Sequence, residues 1–429
     1  MSLPKVTLCM IVKDETHIIE QCLRSIAKYV DRYDITDTGS TDGTQDLIRK
    51  TMEELGVPGE VHQSDWKGFG DHAGKMGSRT EAIKNAEKSG ADYAWMIDAD
   101  DYVEGDFKFP EDMTADSYSL KLGRGDFSWW RNQIFKLSSG WRYQGVLHEY
   151  AISDKPKEII VTKQIHGNYR VIARTEGNRN VGITPIEKYK KDAAVLEKAI
   201  EDEPTNERYV FYLAQSYFDS QQFDKSYETY QKRVEMGGWG EEVYYSKLRC
   251  AIILGIQEKP INEVGAEFLE AFNLRPTRAE PLWFLSRMYR MNNKPAVAYL
   301  YARMALEIPF PQHDILFIQD DVYKWGVLDE VGATAFYANQ PHVGYEACKR
   351  LLENNLAPEA HRARIIQNFK SYENLLKQMH VKQEADKIRA EEQKKEQNRL
   401  QKIEKLNKEK KGTKVPEKKG FKKRPKQKA

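Results

Sequence analysis

Tyr93-Ala94-Trp95-Met96-Ile97-Asp98-Ala99-Asp100-Asp101 runs five apolar residues straight into three carboxylates interrupted only by Ala99. A short, unbroken apolar run suits a strand covered on both faces, as in a parallel sheet layered with helices. Its acids then sit at the C-terminal edge, where open parallel sheets bind their ligands. Upstream, a strand pattern at Val6 to Val12 is followed by a helix from His17 to Tyr29 and a turn from Asp37 to Gly43. Helices from Thr44 to Leu55 and around Ser78 to Lys88 complete the alternation. That order predicts an α/β fold. Downstream, Tyr118 to Ile165 is short-patterned and aromatic, with Trp129, Trp130, Trp141 and Tyr143, and reads as antiparallel strands and loops that can shape an acceptor site. Core burial is the ordinary role of such tryptophans, and it is expected for at least two of the three.

Beyond Pro185 the pattern becomes helical. Leu213, Ala214 and Tyr217 reappear as Leu285, Ser286 and Tyr289, 72 residues on, or two units of about 36, which points to tetratricopeptide-like repeats. Ala298, Ala305 and Pro276 fit the same register, whereas Ser226 and Tyr230 replace smaller residues in the earlier unit. From Lys382 onward Lys and Glu dominate without apolar periodicity, and Gly412 and Pro416 interrupt any helix, so a frayed helix followed by disorder is expected. The expected organisation is an α/β domain over 1–180, a helical domain over 181–380 and a Lys-rich tail over 381–429.

With 429 residues and 40% hydrophobic content, the chain can fill two or three cores. Lys plus Arg number 67 against 65 Asp plus Glu, but residues 382–429 hold 19 basic and 8 acidic side chains, a surplus of 11, and the remainder is acidic. Such a tail is a solvated end or an attractor of nucleic acid, an acidic protein or an anionic membrane surface. Cys9, Cys22, Cys250 and Cys348 form no metal-binding or disulfide pattern, which fits a reducing compartment. No basic leader or membrane-length apolar stretch is seen, so a soluble cytoplasmic protein without a transmembrane segment is expected.

Two segments carry the chemistry. In Asp37-Thr38-Gly39-Ser40-Thr41-Asp42-Gly43-Thr44 the glycines permit a tight turn and Ser40 to Thr44 can cap the following helix, with Asp37 at the strand end. In Asp98-Ala99-Asp100 one carboxylate can meet a nucleotide hydroxyl while the other supplies hard oxygen to Mg²⁺ or Mn²⁺. Together with Leu8 to Glu15, Ile18 to Ser25, Phe69-Gly70, Arg79 to Ala82 and Trp141 to Glu149, these segments resemble the family 2 glycosyltransferases of GT-A type over residues 5 to 180.

The resemblance implies a nucleotide-diphosphate sugar donor. Val12, Asp14 and Glu15 would line the nucleoside pocket, Asp37 would contact base or ribose, Arg79 would approach the nucleotide, and Asp98 would lie near ribose and donor sugar. Asp100 would ligate Mn²⁺ or Mg²⁺, with His148 as a further ligand, although Trp141 to His148 carries an extra residue around Gly145 and Asp71 to Met76 looks like an insertion before Arg79. Arg174, Arg179 and His166 fall where related chains close a loop over the diphosphate. An inverting transfer needs a carboxylate to deprotonate the acceptor, and Asp126, Glu149 and Asp101 are the candidates. The implied acceptor is a hydroxyl on protein, glycan or lipid-linked carbohydrate. A modified DNA base and a noncatalytic scaffold are the alternatives, and the helical surface could support a homo-oligomer.

Overall fold

A computed structural model describes residues 4–124, 127–178 and 182–412. It divides into two compact units, Met1–Lys259 and Pro260–Ala429.

In the first unit, β1 (Val6–Val12) coincides with the strand read from the sequence, and its apolar side chains except the half-buried Ile11 are buried because the sheet is covered on both faces. It pairs in parallel with β2 (Arg32–Asp37) on one side and β4 (Tyr93–Met96) on the other. Beyond β2 lies β3 (Gly59–Gln63), also parallel. Helix α1 (Ile19–Ile26) buries Ile19, Cys22, Leu23 and Ile26, a single helical stripe, and ends in a short 3₁₀ turn, so the expected helix to Tyr29 is shorter. Helices α2 (Thr44–Glu54) and α3 (Ser78–Glu87) complete the layers.

The aromatic region forms antiparallel strands as expected. Strand β7 (Phe127–Lys136) joins β4 to β6 (Ser117–Arg124), antiparallel to both. Strand β5 (Tyr102–Asp106) closes the far edge beside β11 (Asn168–Ile172), β10 (Thr162–Gln164) pairs with β6, and β8 (Trp141–Gln144) and β9 (Tyr150–Ser153) make a separate hairpin. Trp141 is core, Trp129 packs against the main core, and Trp130 meets His166 edge-on.

The same unit continues through α4 (Pro185–Asp202), α5 (Glu207–Asp219), α6 (Phe223–Met236) and α7 (Gly240–Ile256), each packed on the next. Thr184 and Glu187 form a reciprocal capping box that starts α4, with Pro185 in its first turn. These four helices fall in the same compact unit as the sheet. Helices α4 and α5 are tied to the sheet layer by contacts of the His72 ring with the Asp202 and Glu203 carboxylates, both 3.2 Å, and by Arg208 Nη2 donating to the His148 carbonyl at 3.0 Å. Ser226 takes the place of a smaller residue in α6 by donating its hydroxyl to the Ala214 carbonyl at 2.8 Å.

The second unit contains α8 (Ile261–Leu274), α9 (Glu280–Met291), α10 (Pro295–Leu306), α11 (Val327–Thr334), α12 (Pro341–Glu353) and α13 (Glu359–Gly412). Leu285, Ser286, Ala298 and Ala305 of the repeat register are buried. The tail is described as far as Gly412. It is helical from 381 to 412, stabilised by i,i+3 and i,i+4 pairs such as Glu404–Lys408 at 2.9 Å, and residues 413–429 lie outside the described residues. Among the described residues no helix is long and apolar enough to cross a membrane.

Candidate functional site

The chain order places β2 and β3 on one side of β1 and β4 on the other, so the connection reverses direction between β1 and β4. Such a switch point opens a crevice at the C-terminal strand ends. Val12 pairs with Asp37 and Cys9 with Met96, so the Asp37 turn and the Asp98 turn leave the sheet at one level, separated by β1. Two strand spacings put them about 10 Å apart. Gly39 and Gly43 adopt φ of 103° and 91°, which the turn requires and other residues resist. Asp37 Oδ1 accepts from the amides of Gly39 and Ser40 and from Gln45 Nε2, while its Oδ2 is buried without a partner. Asp14 staples the two loops instead of lining the crevice: its Oδ1 accepts from the Thr41 amide at 2.7 Å and its own amide donates to Ser40 Oγ.

The crevice encloses about 630 Å³ and is lined by Val12, Glu15, Arg79, Asp98 and Asp100 among the expected residues. Arg79, almost fully buried in the first turn of α3, forms 2.6 Å ion pairs with both Asp98 and Glu149. Burial alone would raise the Asp98 carboxyl, but Arg79 and Arg131 outweigh it and hold Asp98 well below the usual carboxylate range. Its neighbours are not compensated in this way. Burial and the Asp98 charge raise Asp100, although its Oδ2 accepts from the amides of Glu176 and Gly177 at 3.1 Å. Burial, with Asp100 adding and the Asn178 amide opposing, pushes Glu15 up to about 7.

Other expected residues are committed elsewhere. Glu149 is spent on Arg79. Asp101, 3% exposed, accepts from the Arg174 amide, and burial and Asp98 raise its carboxyl. Arg174 itself donates from Nε to the Asp100 carbonyl at 2.6 Å and from Nη1 to Gln21. His148 is not among the crevice residues; its ring stacks on Tyr212 at 3.9 Å and 9°. Among the described residues no three His, Cys, Asp or Glu side chains gather as a metal cage. Asp126 and Arg179 lie outside the described residues.

The structure adds residues that sequence reasoning missed. Lys188, Lys191, Asp192 and Val195 of α4 form one wall of the crevice, Trp66 lines another part beside Phe69 of the Phe69-Gly70 segment, and Arg131 on β7 reaches Asp98 at 3.3 Å. The i, i+3, i+4 spacing of the α4 residues places them on one helix face, a signal available in the sequence but indistinguishable there from a solvated surface.

Residues 7–111 match the model of glycosyl transferase family 2. No curated protein matches the chain. Among solved structures it is similar to MamA, at 14% identity over 39% of this chain and 90% of that one, with a TM-score of 0.32. It is also similar to YrrB, described as a TPR protein with an unusual peptide-binding site, at 13% identity over 42% and 84% with a TM-score of 0.31. A thermophilic TPR protein of Thermus thermophilus, TTC0263, is similar at 13% identity over 43% and 91%, with a TM-score of 0.30. The chain thus carries a segment, residues 7–111, that matches glycosyl transferase family 2.

Proposed function

We propose that the crevice binds a nucleotide-diphosphate sugar together with Mn²⁺ or Mg²⁺ and transfers the sugar, with inversion, to a hydroxyl-bearing acceptor. The observation that carries this reading is the set of carboxylates at the β1–β4 switch point: Asp98 is neutralised by two arginines, whereas Asp100 and Glu15 are crowded and raised. Asp100 and Glu15 offer hard oxygens, and a dication that takes one or two carboxylates and completes its shell with substrate phosphates and water needs no protein cage. Formal charge supports the fit. Lys13, Arg79, Lys188 and Lys191 balance Glu15, Asp98, Asp100 and Asp192 in the lining, so the charge of a diphosphate is matched only if a cation accompanies it. When bound, the cation supplies Lewis-acid neutralisation of the leaving diphosphate.

The chain's own groups orient the donor. Asp37, buried behind the crevice, braces the Gly39–Ser40 turn, Asp98 is fixed by Arg79 and Arg131 to meet ribose or sugar hydroxyls, and Trp66 offers a flat face. With Glu149 paired to Arg79 and Asp192 paired to Lys188 at 3.5 Å, the acceptor's proton goes to Asp126 or to Asp101, whose carboxyl burial and Asp98 raise. The test is thermal unfolding with UDP, GDP, CDP and dTDP, with and without Mn²⁺. One nucleotide at 100 times its Kd should stabilise by about 2.7 kcal/mol in the presence of metal. Failure of all four to raise Tm with metal present sinks the reading.

A further inference from the structure

Outside the crevice, one turn combines backbone strain with a chain of charges leading inward. His148, just after β8, has φ of 51°, a left-handed conformation that a β-carbon disfavours. Helix α5 holds it by two means. Arg208 Nη2 donates to the His148 carbonyl at 3.0 Å, and Tyr212 stacks flat on the His148 ring. Arg208 is itself held: its guanidinium lies 4.9 Å from the ring centres of both Tyr150 and Tyr212, and its Nη1 is 3.5 Å from Glu242 Oε1. Glu242 in turn accepts from the fully buried Arg233 at 2.9 Å. The residue after His148 is Glu149, whose carboxylate meets Arg79, and Arg79 meets Asp98.

We propose that Arg208 and Tyr212 are positioning residues for donor recognition: they hold the strained His148–Glu149 turn so that Glu149 fixes Arg79, and Arg79 fixes Asp98. The inference rests on the reading of Asp98 as a donor contact. Neither residue touches the donor; both act through a turn that would otherwise relax to a less strained backbone. Outer partners of this kind typically change affinity 10- to 100-fold when removed. The proposal gives the first helical hairpin a role inside the sheet-bearing unit, consistent with the compact grouping of α4–α7 with the sheet.

The experiment uses the full chain with ¹³C-labelled histidine, in wild type, Arg208→Gln, Tyr212→Ala and Tyr212→Phe. The His148 ring signal, displaced upfield by the stacked tyrosine, reports the turn without nucleotide. Calorimetric titration of UDP, GDP, CDP and dTDP with Mn²⁺ reports the donor site. Arg208→Gln and Tyr212→Ala should return the His148 signal toward that of a free histidine and weaken the best nucleotide about 10-fold, while Tyr212→Phe, which keeps the stacked face, restores both. A His148 signal unmoved in Arg208→Gln overturns the proposal, and so does a moved signal with affinity within about twofold of wild type. No nucleotide binding by the wild type overturns the donor reading and this use of it together, while the ring signal alone still tells whether Arg208 holds the turn.

Discussion

The two units bury charge in opposite ways. In the second, Arg278 and Glu280 are both fully buried, and Arg278 donates to both Glu280 oxygens, to Asp314 and to the carbonyls of Leu316 and Phe317. Tyr323 adds its hydroxyl to Glu280 at 2.7 Å. That network is closed on itself and clamps the irregular segment before the π-helical turn Val322–Gly326 onto α9. At the β1–β4 edge of the first unit the charges are open. Asp98 is satisfied, but Glu15, Asp100 and Asp101 are raised by burial and mutual repulsion, and Asp37 Oδ2 has no partner. Charge buried for structure is paired within the chain, whereas charge buried for use is left for something that arrives.

The contrast predicts opposite signs for neutralisation. Arg278→Ala should cost about 3–5 kcal/mol in urea unfolding, because it strands Glu280 without a cation. A double change of Arg278 and Glu280 to Met and Leu should recover most of that loss; a double variant as unstable as the single one would break the claim that the pair serves only structure. Asp100→Asn should do the reverse. The unliganded protein should gain up to about 1 kcal/mol, because a crowded carboxylate is removed, and the Mn²⁺-dependent nucleotide shift should vanish. Persistence of that shift in thermal unfolding would mean that the cation sits elsewhere.

Glu15 sharpens the comparison through pH. Its native pKa of about 7 lies above the ordinary 4.5, so the folded state holds the proton more tightly than the unfolded chain does. Its contribution to stability is full below pH 4.5 and is lost as pH rises through 7. Glu15→Gln should therefore raise Tm by about 3 °C at pH 8 and leave it almost unchanged at about pH 4.5. A gain that is the same at both values would place the crowding on another group.

Much of this was legible in the sequence. The ends of β1 and the Asp98–Asp101 turn follow from apolar runs broken by charged residues, because unpaired charge is costly to bury between two covering layers. Commitments between distant side chains were not legible. Glu149 looks like a free base in the sequence, but Arg79 claims it from 70 residues away. The α4 wall was hidden for a related reason: a helix whose polar face lines a crevice has the same periodicity as one whose polar face meets water. The contacts of His72 and Arg208 that bind α4 and α5 to the sheet likewise leave no compositional trace.

The smallest effect is expected at the tail. Helix α13 buries Ile365 and Tyr372 against α11 and α12, with the Tyr372 hydroxyl donating to the Gly332 carbonyl at 3.0 Å. From Val381 to Leu406 every side chain is exposed, including Ile388, Leu400 and Ile403, and the helix is maintained by its own Glu and Lys pairs, each worth only about 0.2–0.5 kcal/mol. Truncation after Val381 removes no buried contact among the described residues, so stability in urea should change by no more than about 0.5 kcal/mol. Nucleotide affinity should be untouched, since the crevice is built wholly from residues 11–195. If transfer to a protein or glycan acceptor survives the truncation while DNA is never modified, the basic tail is excluded as a guide to DNA. If truncation instead abolishes transfer with nucleotide affinity intact, the tail's 19 basic residues recruit an acidic acceptor, and α13 belongs with the open charges of the first unit, not the closed network of its own.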